Sequence, residues 1–124
     1  MAHTNKEISR NDWASYFAGI VRKGHTQWVR VESVAPETGD QPVADVLPLV
    51  DISLETKGMD AGAVQIILGR EGEEITHRIL KPSRVFAELD AVSGDLECLE
   101  IGEEEGKTLI FFESLSDTLQ PAPL

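Results

Sequence analysis

Residues Ser9 to Val34 read SRNDWASYFAGIVRKGHTQWVRVESV, and within them the spacing of the apolar side chains changes once. Trp13, Tyr16, Phe17, Ile20 and Val21 recur at the i, i+3, i+4, i+7, i+8 positions of one helix face. Ser9 is placed to cap that helix, Asp12 completes a capping box, and Ile8 and Trp13 are spaced as a hydrophobic staple. Arg22 and Lys23 fall in the last turn, where cations offset the carbonyl end of the helix dipole, and Gly24 suits a left-handed C′ residue. The spacing predicts a helix over 10–23. Beyond Gly24 the period becomes two. Val29 and Val31 share one face and Arg30 and Glu32 the other, which predicts a strand over 28–34.

From there to the C-terminus the pattern stays mostly alternating. Pro36 to Pro42 (PETGDQP) is rich in turn formers and is expected to be a loop. Val50, Ile52 and Leu54 alternate with Asp51, Ser53 and Glu55, and Pro48 marks an edge, a bulge or the start of that strand. Ala63 to Leu68 is a nearly continuous apolar run, expected to be a central strand, with Glu74 to Lys81 returning beside it as a hairpin. Arg84 to Asp90 admits two readings. Val85, Ala87 and Leu89 alternate as in a strand, while Ser83 is placed to cap a short helix, and the alternation favours the strand. Leu96 to Ile101 shifts its apolar phase at Cys98-Leu99, as a β-bulge requires. Gly102 to Gly106 (GEEEG) then turns into a last strand, Lys107 to Glu113. One helix followed by seven strand-like segments predicts an α+β fold: an N-terminal amphipathic helix packed on an antiparallel meander, half-barrel or barrel-like. A single domain over 1–124 is expected, with an ordered body of about 8–114 between a mobile polar N-terminus and a fraying tail from Ser116.

The chain carries 22 acidic and 11 basic side chains, a net charge of −11. A field of that sign repels phosphate backbones and anionic headgroups, so neither nucleic acid nor a membrane surface is expected as a partner. Cys98 is the one cysteine, which excludes an intrachain disulfide and a multi-cysteine metal site. The start of the chain lacks the apolar core of a signal peptide, and no run approaches a membrane span, so a cytoplasmic location is expected.

The inventory for catalysis is thin. The three histidines, His3, His25 and His77, form no HExxH or His-x-His pattern. Cys98 lies in an apolar strand and reads as a buried inert thiol. The glycines of GREG and GEEEG match no phosphate-binding loop, and Glu103, Glu104 and Glu105 lack the alternate spacing of a calcium loop and read as a solvated hairpin tip. No catalytic residue, cofactor or metal is therefore expected. Two residue groups merit attention. His25, Trp28 and Arg30 sit between helix and first strand, where tryptophan and arginine are favoured at interface centres, although Trp28 also suits a seam between helix and sheet. His77, Arg78 and Arg84 are the polar groups available to a pocket inside a barrel, although a strand-face histidine is more often a satisfied core residue.

In order along the chain stand a Trp-bearing helix, GHTQW, LPLVDI (Leu47 to Ile52), IILG, HRILKPSRV (His77 to Val85) and LEIGEEEGKTLIFF. This order resembles a family of short bacterial proteins classed as a domain of unknown function, over about Ile8 to Glu113. The resemblance implies no activity to transfer. Two functions stay open: a non-enzymatic binding or accessory protein, with an unknown protein or a second copy as partner, and a small-molecule-binding protein or enzyme with a pocket inside the β-barrel. Thr108 to Phe112, apolar on both faces, favours the first, because such a strand needs cover on both sides.

Overall fold

Apolar alternation after the helix does produce strands, and their pairing produces one sheet. The computed structural model describes residues 3–59 and 61–113, so the expected fraying from Ser116 lies outside the described residues. The elements are β1 (His3–Ile8), α1 (Trp13–Val21), β2 (Trp28–Ala35), β3 (Gly39–Leu54), β4 (Val64–Arg70), β5 (Glu73–Ile79), β6 (Arg84–Asp90), β7 (Leu96–Glu103) and β8 (Gly106–Glu113). Eight strands form an antiparallel sheet in the order β1-β6-β7-β8-β2-β3-β4-β5. This is not one meander but two, β2 to β5 and β6 to β8, joined through β2 and β8. The sheet does not close into a barrel, since β1 and β5 are its two edges.

The polar N-terminus departs from the expectation of mobility. His3–Ile8 is a strand, paired with β6 from His3↔Asp90 to Ile8↔Val85. Only Ile8 of its six residues is buried, so no apolar alternation announces it, and backbone pairing holds it on the edge. The short, charged strand also blunts that edge. The helix is shorter than 10–23. Ser9 makes no side-chain cap, and Arg10–Asp12 form a 3₁₀ turn closed by the Asp12 N–H donating to the Ser9 carbonyl at 2.8 Å. The Ile8–Trp13 staple takes a polar form as well: the Trp13 indole N–H donates to the Ile8 carbonyl at 2.9 Å. At the other end Gly24 has φ 80°, and the Gln27 side-chain amide caps the Ile20 carbonyl, one of the orphan acceptors of a helix end.

β3 explains the curvature. Its first part pairs with β2 and its second, from Leu49, with β4, with register shifts between Val29 and Val31, Val31 and Glu32, and Leu49 and Asp51. Such bulges bend a strand, and Pro42 and Pro48 are tolerated beside them. The PETGDQP loop is accordingly only a hairpin tip at 36–38, with Gly39 to Pro42 already in β3. Between β6 and β5 lie six strand steps, roughly 29 Å if flat, yet the chain from Ile79 to Arg84 can span at most about 18 Å. The sheet must therefore curl. Inside the curl lie Val29, Val31, Ile66, Leu68, Val85, Leu99, Ile101 and Ile110, all fully buried, and α1 adds Trp13, Phe17 and Ile20 against β3. Residues 84–90 are a strand, and the expected bulge in β7 falls at Glu97, between the pairs Glu88↔Cys98 and Leu89↔Leu96. Among the described residues no helix is long and apolar enough to cross a membrane.

Candidate functional site

Strand alternation that buries Val29, Val31, Leu99, Ile101 and Ile110 turns their neighbours to the outer face of the same strands. Register then lines up Glu7, Phe86, Glu100, Leu109 and Glu32 across β1, β6, β7, β8 and β2. The next row holds Asn5, Glu88, Cys98, Phe111 and Arg30. Phe86, Leu109 and Phe111 are half-buried there, with carboxylates alternating among them. Between the rows is a depression of about 280 Å³, with Phe86, Cys98 and Phe111 at its floor and Glu88, Glu100 and Lys107 around it. β8 is thus apolar on both faces, as its sequence indicates, and the described residues cover only one of them.

The charges around this face are paired with one another. Arg30 bonds Glu32, reaches Glu113 with Nε at 3.5 Å, and lays its guanidinium 4.1 Å from the Phe111 ring centroid. Lys107 Nζ is 3.5 Å from Glu100 Oε1. At the β1 edge His3 Nδ1 lies 2.6 Å from Glu97 Oε1 and 3.3 Å from Glu88 Oε1. These three ligand-type atoms lie within 4.8 Å of one another, the one grouping of metal-ligand character among the described residues. Their side chains are 35–41% exposed, which suits an ion-pair cluster on the surface equally well. Cys98, opposite Glu88 in the register, is 8% exposed. Burial, reinforced by the carboxylates of Glu88 and Glu100, pushes its thiol up to about 11, so it is a neutral, unreactive part of the floor.

The residues singled out from the sequence are dispersed. Trp28 and Arg30 share the outer face, but Arg30 turns to Phe111, while Trp28 lies under the Arg70 guanidinium at 5.6 Å. His25 and Trp28 both line a cleft of about 490 Å³, with Phe112 and Glu113. His77 points inward and Arg78, its neighbour along the strand, the other way, to Glu55 at 3.4 Å. Arg84 lies outside, over Gly102. The three do not converge. A further cleft of about 570 Å³ lies elsewhere, between α1 and β1 around Tyr16, Ile20 and Lys6. Phe86 and the facing of Leu109 and Phe111 were missed because they require the register, although the doubly apolar TLIFF run is visible in the sequence.

His77 Nε2 lies 3.2 Å from Thr108 Oγ1, a link from β5 to the buried face of β8 across the interior. Desolvation holds the imidazole below its ordinary value, partly offset by the Glu103 carboxylate. A group whose folded pKa is depressed contributes stability above its unfolded value, and that contribution is lost as pH falls through the folded one. The melting temperature is expected to fall as pH drops from about 7 through the unfolded histidine pKa of about 6.5. His77→Gln should flatten that part of the profile. An unchanged slope in the variant would assign the pH dependence to other groups.

An open, curled antiparallel sheet with one N-terminal helix and a carboxylate-and-aromatic outer face defines the class of this domain. The chain matches the model of a family described as "Family of unknown function (DUF5335)" over residues 4–121, and it belongs to that family. No curated protein and no solved structure matches it significantly.

Proposed function

We propose that this is a non-enzymatic binding or accessory domain, acting in the cytoplasm, whose working surface is the outer face of β6, β7, β8 and β2, left uncovered by the described residues. The observation that carries this reading is the cluster of Phe86, Leu109 and Phe111, half-buried at the middle of a sheet face. On a one-sided antiparallel sheet the solvent face is expected to be polar, and a grouped apolar patch marks a surface that acquires cover. The interior positions are filled by fully buried aliphatic side chains, which supports this reading over one with a pocket inside the sheet.

The test is capture from the lysate of the source organism by immobilised wild-type protein and by two variants, Phe111→Asp and Leu109→Asp, each first shown to melt cooperatively. A captured protein that is lost with both variants, and kept with a Glu73→Gln change on β5, is the expected result. Capture indifferent to Phe111 and Leu109 would overturn the assignment. Light scattering during size exclusion identifies the special case of a second copy, since the monomer mass is 13.6 kDa.

A further inference from the structure

The depression on the outer face has a shape and a charge that specify what it receives. Its floor is apolar and aromatic, with Phe86, Phe111 and the neutral thiol of Cys98, while its rim carries Glu88, Glu100 and, paired with Glu100, Lys107. Glu88 stands opposite Cys98 in the register and Glu100 stands opposite Phe86, so the two carboxylates flank the floor on a diagonal. A long side chain with an alkyl stem and a cationic head matches both features: the stem lies on the rings and the head meets the carboxylates. A related contact stands at one side of it, where the Arg30 guanidinium lies 4.1 Å from the Phe111 ring centroid and bonds Glu32.

The rim carboxylates are open to exchange of partners. Glu100 is met by Lys107 at 3.5 Å and Glu88 by His3 at 3.3 Å, with all four side chains 29–41% exposed. Exposed pairs of this kind are weak, because water screens them and two long side chains must be held in one geometry, so an incoming guanidinium competes with them on favourable terms. At longer range the net charge of −11 draws a basic partner in and repels a second copy of the chain.

Resting on the docking surface proposed above, we infer that its partner presents a basic segment and seats an arginine or lysine side chain in the depression between Glu88 and Glu100, with apolar neighbours on Leu109 and Phe111.

A random dodecapeptide display library, selected on the full chain, tests this without presupposing a sequence. Clones are then scored on Phe111→Asp, on the double variant Glu88→Gln/Glu100→Gln, and on Glu73→Gln/Glu74→Gln in β5 as a control of equal charge change. The expected clones depend on Phe111, carry Arg or Lys between apolar residues, and lose at least tenfold in affinity on the Glu88/Glu100 variant but not on the β5 control. Clones that depend on Phe111 but lack basic residues, or bind the Glu88/Glu100 variant equally well, overturn this inference and leave the docking surface standing. Basic clones that lose as much on the β5 control report only overall charge and overturn it too. If no selected clone depends on Phe111, the docking surface itself falls.

Discussion

Replacing Phe17 by alanine is expected to cost about 3–5 kcal/mol in unfolding free energy, the range for truncating a fully buried phenylalanine. Phe17 is 0% exposed and stands midway along the α1 stripe, between Trp13 and Ile20, against β3. The site is poorly able to collapse. Its neighbours are anchored from several directions: Trp13 by its hydrogen bond to Ile8, and the end of α1 by the Gln27 cap. The loss should therefore lie in the upper part of the range, a large share of the roughly 5–15 kcal/mol that holds a domain together. Denaturant titration measures it as a shift of midpoint with unchanged slope. A loss under about 1 kcal/mol would mean that α1 contributes little to the core.

Gly69→Ala is the second large effect, and it acts through the backbone. Gly69 is buried at the end of β4 with φ 115°, a conformation that side-chain-bearing residues rarely adopt. A Cβ there would lie 2.6 Å from the Glu73 carbonyl oxygen and 3.2 Å from the Glu74 Cα. Both are backbone atoms of the returning strand, so no side chain can swing aside. Dihedral strain and overpacking together should cost about 2–4 kcal/mol. Because Gly69 pairs with Glu74 at the β4–β5 hairpin, the variant should also lose amide-exchange protection first in β5. A variant that keeps wild-type stability would show that the turn has a second, unstrained conformation.

The residues that were legible are those whose own neighbours decide them. The i, i+3, i+4 stripe from Trp13 to Val21 makes a helix wherever it is placed, because only that geometry gathers its aromatics on one face. The alternation of Val29 and Val31, of Val85 and Ala87, and of Val50 to Leu54 makes strands for the same local reason. Family membership, net charge and the absence of a familiar nucleophile motif were likewise readable from residue order alone.

Residues 3–8 were not legible, because a polar edge strand exists only by virtue of the strand it pairs with. The helix start was misjudged because Ser9 offers its carbonyl, rather than its hydroxyl, to the first turn. Pro42 and Pro48 read as punctuation, yet the bulges of β3 let one strand run through both. The outer face is the clearest case. Phe86, Cys98, Leu109, Phe111 and Arg30 are scattered between positions 30 and 111 of the sequence, and long-range register alone makes them neighbours. Local periodicity determined which elements form and which of their faces is apolar; the tertiary structure decided which apolar faces are covered, because cover is a property of the pairing between distant strands and not of any one of them.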